Sequence, residues 1–283
     1  MSRGVIDAHQ HVWTVGRHGF EWPTPDLAAI HRDWGVADLV TAAEGIDLVG
    51  TVLVQSQPSA ADTDWLIEVA AGEPLVKAVV GWVDFERPDA LREVEWLAAH
   101  ATLRGLRPML QNLPDDGWIA RAAFDPVFDR MVTLGLTLDA LIHPRHLPFV
   151  EARARRHPGL RIVIDHGAKP PIGDGAFAPW AAAIERIAAL DSVFCKLSGL
   201  PTEMAAGQGD AALAPYIAHL VACFRPARLM WGSDWPVVNL ACGYRHWFDT
   251  ATTLSGLAGD DLDALCRRTA ATFYAIDLEE RPC

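Results

Sequence analysis

The 283-residue sequence predicts an α/β fold, a single (β/α)8 barrel of the TIM type, on three observations. Eight short β-branched or apolar runs recur along the chain, alternating with longer stretches that carry apolar residues at i, i+3, i+4 and i+7. The ends of those runs fall about thirty residues apart, the pitch of a β/α unit. No Ser/Gly/Pro linker, charge block or low-complexity tract interrupts the alternation, so one domain spans 1–283. An open doubly wound sheet would announce itself by a glycine-rich phosphate turn after its first strand, and here that strand ends in histidines.

The first run is 5–12 (VIDAHQHV), and the turn-rich, aromatic segment 14–25 (TVGRHGFEWPTP) follows it. A connection that long reads as a loop over the barrel mouth, able to act as a lid. The remaining strands are expected at 50–57 (GTVLVQSQ), 76–84 (VKAVVGWVD), 103–110 (LRGLRPML), 136–143 (LTLDALIH), 160–167 (LRIVIDHG), 193–200 (VFCKLSGL) and 228–236 (RLMWGSDWP). Amphipathic stretches at 62–71, 89–100, 124–134, 179–190, 212–224 and 260–275 supply the outer ring of helices. Trp65, Trp96, Trp180 and Trp247 sit at helical spacing and are expected to pack those helices on the barrel.

Composition narrows the function. With 51% hydrophobic and 21% charged residues the chain can build a full core, which excludes disordered and fibrous classes. A formal charge of −12 repels phosphate backbones and anionic headgroups, so neither nucleic acid nor a membrane surface is an expected partner. The five cysteines, at 195, 223, 242, 266 and 283, follow no pairing pattern and are expected to be reduced. The N-terminus MSRGVIDAHQHVW lacks a secretory signal, which together with the cysteines predicts a cytoplasmic protein. G-x-G-x-x-G and P-loop motifs are absent, so no nucleotide cofactor is expected. Monomer and homo-oligomer both fit.

The chemistry-bearing residues lie at strand ends. His9 and His11 are two apart on strand 1 and share a face. Strand 6 ends in His166 and strand 8 in Asp234, and in a closed barrel these ends surround one mouth with strand 1. The four can hold a divalent cation, or orient a carbonyl and a water without one. Asp165, beside His166, is expected to point the opposite way, to the outer face.

The motifs VIDAHQHVW (5–13), GTVLVQS (50–56), IDHGAKPPI (164–172), CKLSGL (195–200) and WGSDWPV (231–237) span nearly the whole chain. Together they resemble the amidohydrolase superfamily, and within it the sugar-lactonase branch, amidohydrolase family 2, whose substrates include L-fucono-1,5-lactone. That resemblance implies hydrolysis of a sugar-acid lactone to the aldonic acid, with Asp234 as general base for water and His9, His11 and His166 polarising the carbonyl. It implies at most one divalent metal, zinc or manganese, held by His9, His11, His166 and Asp234 and dispensable in some relatives. Strand 4 offers Arg104 and Arg107 but no lysine or glutamate to bridge two metals. A small, hydroxyl-rich lactone needs polar hydrogen-bonders and an aromatic wall. Gln55, Trp82, Arg107, His143, Lys169 and Trp235 are the candidates, with the pairs Gln55/Gln57 and Lys196/Ser198 each sharing a face. The alternative in the same superfamily is a metal-dependent decarboxylase or hydratase of an aromatic carboxylic acid, which arginines clustered at the mouth, Arg107 and Arg145, would favour.

Overall fold

A computed structural model describes residues 4–19 and 22–277. Its eight strands are β1 (Val5–Gln10), β2 (Leu48–Val54), β3 (Val76–Gly81), β4 (Leu103–Leu106), β5 (Thr137–Ala140), β6 (Ile162–Ile164), β7 (Val193–Leu197) and β8 (Leu229–Trp231). All neighbours pair in parallel, in sequence order. The ring closes where Asp234 N donates to His9 O (2.8 Å) and His11 N to Trp235 O (2.7 Å). Each strand matches a run expected from the sequence. Most stop short of the expected C-terminal bound, because the chain leaves the ladder for irregular backbone where the mouth begins.

The helices are α1 (Val36–Ala42), α2 (Ala60–Gly72), α3 (Ala90–Ala98), α4 (Asp125–Leu134), α5 (Leu147–Arg156), α6 (Phe177–Ala188), α7 (Ala214–Arg228), α8 (Tyr244–Ser255), α9 (Gly259–Asp263) and α10 (Thr269–Tyr274). Local chemistry sets their ends. Ser59 caps α2 by accepting from Asp62 N (3.3 Å). Pro126 opens α4 and Gly135, at φ 71, ends it in the left-handed region. The single helix expected over 260–275 is instead α9 and α10 joined by a π-helical turn, Ala264–Arg268. No helix among the described residues is long and apolar enough to cross a membrane.

Two apolar layers follow from strand alternation. One face of the strands, with Leu53, Val79, Leu138, Ile164, Leu197 and Trp231, packs on the helices. The other, with Ile6, Ala8, Val52, Val54, Ala78, Val80, Val163 and Met230, fills the barrel and meets Phe273 and Tyr274 of α10. Trp180 and Trp247 are buried as expected. Trp96 is not: it is 52% exposed, on the solvent side of α3 against His100.

Within the expected loop 14–25, Phe20 and Glu21 lie outside the described residues, as do Met1–Arg3 of the N-terminal motif and Cys283. The other four cysteines are free thiols. The first half of the loop is tied down. Trp13 and Trp34 exchange backbone hydrogen bonds (3.1 and 2.9 Å). Arg17 lies 4.6 Å over the Trp65 ring of α2, and His18 Nδ1 is 3.7 Å from Asp62.

Candidate active site

Strand 1 brings both histidines inward by a device that simple alternation lacks. Ile6 and Ala8 face the interior, so an unbroken strand would send His9 out with Asp7. Between Asp7 and Gln10, however, β1 advances three residues while β2 advances two, from Thr51 to Leu53. This bulge turns His9, and with it His11, into the barrel. Asp7 stays on the helix side and ties β1 to β8, accepting from Ser233 N (2.9 Å), Ser233 Oγ (2.6 Å) and Tyr244 Oη (3.1 Å). Burial pushes its carboxyl up to about 6 despite those bonds.

At the end of β6 the expectation for Asp165 fails. Val163 faces the interior, so two residues on Asp165 does too, and it is fully buried beneath the mouth. His166 reaches the same space because its backbone turns left-handed, at φ 55. Asp234, at φ 58, is swung in likewise after β8. Two motif glycines make room for the rings. A Cβ on Gly199 would lie 2.5 Å from His166 Nδ1, and one on Gly232 would lie 2.7 Å from His9 Cβ.

The result is a compact cluster. His9 Nε2 lies 3.2 Å from His11 Nε2, and Asp234 Oδ1 is 3.4 Å from His11 Nε2, 3.7 Å from His9 Nε2 and 3.8 Å from His166 Nε2. Each residue is at most 4% exposed. The second nitrogens are held from behind: His11 Nδ1 donates to Val54 O (2.7 Å), and His166 Nδ1 meets Ser198 Oγ (2.8 Å). Burial lowers the pKa of His166 to about 4, and burial with the adjacent Lys196 ammonium lowers that of His9 far below its usual value. Burial works against charge on Asp234, but the facing imidazoles of His166, His11 and His9 outweigh it and keep the carboxyl well below the usual range. Near neutral pH the cluster therefore pairs neutral His9 and His166 with an ionised carboxylate.

Beneath it runs a buried ionic chain that the sequence reading missed. Lys196 Nζ contacts Asp139 Oδ2 (2.5 Å), Asp165 Oδ1 (3.0 Å) and His9 Nδ1 (3.1 Å), while Tyr274 Oη donates to Asp139 Oδ2 (2.7 Å). Arg107 Nη1 adds a contact of 3.3 Å to Asp165. A signal was available: Asp139 and Lys196 each interrupt an otherwise apolar strand, and a lone buried charge demands a partner.

Above the cluster opens a cavity of about 470 Å³. His11, His166 and Asp234 form its floor, and Trp22, Trp82, Phe85, Met109 and Trp118 give it an apolar, aromatic wall. Trp82, Arg107 and Lys169 line it as well. His143 and Arg145 line a second hollow of about 370 Å³ that also touches Lys169. Gln55 is buried off the wall, its side-chain amide donating to Arg107 O (2.8 Å) and its backbone carbonyl accepting from Arg107 Nη2. Gln57 is also buried off the wall, and Ser56 between them faces the cavity. Trp235 is buried edge-on against Trp34. Phe85, Met109 and Trp118 were not singled out from sequence, since a residue in a loop gives no sign of which way it faces.

Whether the cluster suits a divalent cation is decided by its donors. A tetrahedron with metal–nitrogen bonds of about 2.05 Å has edges of about 3.3 Å. His9, His11 and Asp234 form a triangle with edges of 3.2, 3.4 and 3.7 Å. With Nδ1 of His11 donating to Val54 O, its Nε2 turns a lone pair toward a carboxylate oxygen. Two acceptors that close need a cation or a water proton between them, so the donor set fits a metal.

Sequence and structure comparisons identify the family. A family model described as Amidohydrolase matches residues 6–276. An L-fucono-1,5-lactonase of Burkholderia ambifaria is 46% identical over 236 residues, covering 83% of this chain and 81% of the relative. A second L-fucono-1,5-lactonase, from Burkholderia multivorans, is 34% identical and covers 96% of each chain. A crystal structure of an amidohydrolase from Burkholderia multivorans with bound zinc superposes with a TM-score of 0.90 at 33% identity, over 97% of this chain and 100% of that one. The protein thus belongs to the amidohydrolase family, as a hydrolase of its sugar-lactonase branch.

Proposed function

We propose that the enzyme hydrolyses L-fucono-1,5-lactone or a close sugar-acid lactone to the open aldonic acid. The observation that carries this reading is an ionised, buried Asp234 at the floor of an aromatic-walled cavity, ringed by three imidazoles. The two relatives named L-fucono-1,5-lactonase support the substrate. Asp234 takes a proton from water as the water oxygen bonds to the lactone carbonyl carbon. The ring C–O bond then breaks, and the proton passes to the departing ring oxygen. His166, accepting at Nδ1 from the Ser198 hydroxyl, presents its Nε2–H to the developing oxyanion. Trp82, Arg107 and Lys169 contact the sugar hydroxyls and ring face. Gln55 buttresses Arg107, while His143 serves the side hollow.

His9, His11 and Asp234, with His166 beside them, would hold the single metal this reading allows, zinc or manganese. Such an ion, when bound, supplies Lewis-acid polarisation of a carbonyl. The decarboxylase alternative has less support, because Arg145 pairs with Asp116 (2.9 Å) beside the side hollow and leaves Arg107 as the arginine among the described lining residues of the main cavity. The test is acid release from a panel of 1,4- and 1,5-aldonolactones, read with a pH indicator against spontaneous hydrolysis, before and after chelator treatment. Turnover of the fuconolactone is expected, and Asp234→Asn should lower it on the order of 10² to 10⁴-fold while the protein stays folded. A variant that keeps more than about a tenth of the activity overturns the assignment to Asp234.

A further inference from the structure

We propose, building on the lactonase reading above, that the cavity also admits δ-lactones bearing an apolar chain on the carbon next to the ring oxygen, and that the enzyme hydrolyses them. The cavity wall divides by chemistry. Its reacting side comes from the ends of β1, β6 and β8, with His11, His166, Lys169 and Asp234. The segments after β3 and β4 supply Val83, Phe85, Pro108, Met109, Leu113 and Trp118. In a ring of eight strands paired in sequence order β4 stands opposite β8, so this apolar wall lies across the mouth from Asp234.

The apolar wall is built firmly and has few hydrogen bonds to offer a sugar. Trp118 stacks on Phe85, with ring centres 5.8 Å apart and planes at 25°, and packs 4.4 Å from Phe124. Its indole N–H already donates to Glu86 Oε1 (3.1 Å), which also accepts from Arg121 Nη1 (2.7 Å). Trp118 therefore presents ring carbon alone. Met109 and Leu113 are half-buried and keep apolar surface open. The same segments contribute uncharged Gln111 and Asn112, and the acids Asp84 and Glu86 disfavour an anionic substituent. A sugar hydroxyl turned toward Met109, Leu113 or the Trp118 ring loses water without gaining a partner, whereas an alkyl chain gains with each methylene buried. A cavity of about 470 Å³ also lies in the range that holds organic ligands larger than one sugar ring.

The reaction is unchanged. Water adds to the carbonyl carbon, the ring C–O bond breaks, and the hydroxy acid formed releases a proton on ionising. The experiment measures kcat/KM of the purified enzyme on δ-lactones carrying hydrogen, methyl, propyl or pentyl at that carbon, beside L-fucono-1,5-lactone, with spontaneous hydrolysis subtracted. From methyl to pentyl kcat/KM is expected to rise about two- to fourfold per methylene, the gain from burying that group. Leu113→Asn and Met109→Gln should each shrink the pentyl-to-methyl ratio, and thermal melts identify which variants fold. If neither folds, the wild-type series decides alone. Turnover of the fuconolactone with a flat or falling alkyl series, or with no alkyl lactone hydrolysed, overturns the proposal and leaves the lactonase reading standing. No turnover of any lactone overturns both. A rising series that neither folded variant flattens overturns the assignment to this wall.

Discussion

Replacing Lys196 by Met tests the buried ionic chain. The ammonium has no exposed side-chain surface and lies between Asp139 (2.5 Å) and Asp165 (3.0 Å), both equally buried. Removing it leaves Asp165 with Arg107 (3.3 Å) but leaves Asp139 with only the Tyr274 hydroxyl (2.7 Å). Stripping one partner from a buried pair costs about 3–5 kcal/mol, which for a domain of this size lowers Tm on the order of 10 °C. The pH dependence gives a second readout. Burial already raises the Asp139 pKa against the pull of Lys196, so without Lys196 it rises further. A carboxyl whose folded pKa exceeds its unfolded one binds the proton in the native state, and its stability falls as pH rises between the two values. Urea denaturation followed by tryptophan fluorescence should therefore find the gap between Lys196→Met and wild type wider at pH 8 than at pH 5. Adding Asp139→Leu should recover part of the loss, whereas Tyr274→Phe alone should cost about 1 kcal/mol. A loss below about 1 kcal/mol at pH 8, or strict additivity of the two substitutions, would refute the coupling.

Gly199→Ala puts a Cβ against His166 Nδ1 at φ 63, so turnover should fall on the order of tenfold or more while the melt moves little; unchanged turnover would mean that ring has room to spare. Trp22→Ala and Trp82→Ala remove the aromatic wall and should raise KM more than they lower kcat in the lactonase assay. Asp62, buried at the start of α2, has its pKa raised to about 7, chiefly by burial. Its ionisation works against folding as pH rises from about 4 through 7, so Asp62→Asn should gain stability relative to wild type between pH 5 and pH 8 in thermal melts.

The barrel was legible because strand patterning and β/α pitch are properties of contiguous sequence. Eight apolar runs and their spacing needed no knowledge of what lay opposite them. The helix ring was partly legible: α1, α5 and α8 escaped the six expected stretches. α5 carries arginines at 153, 155 and 156 beside its apolar residues, which blur the stripe. The ionic chain was hidden for a different reason. Asp139, Lys196 and Tyr274 are separated by 57 residues and more, and only closure of the barrel over α10 sets them within hydrogen-bond reach.

That His9, His11, His166 and Asp234 converge was expected from sequence, but partly by the wrong rule. Alternation read from His9 and His11 gives two inward histidines, while alternation read from Ile6 and Ala8 gives the reverse, and the bulge before Gln10 reconciles them. The same rule, applied at His166, sent Asp165 outward, whereas Asp165 follows Val163 inward and the left-handed backbone of His166 brings that residue in as well. At β8 it is Asp234, at φ 58, that leaves the pattern. Each cluster residue from β1, β6 and β8 thus sits where its strand abandons regular geometry. The physical reason is crowding. A regular strand offers one inward side chain per two residues, about 6.6 Å apart, too far for adjacent imidazoles and a carboxylate to converge within 4 Å. Packing four functional groups onto one point requires bulges and left-handed residues, which cost energy and are retained where the chemistry needs them.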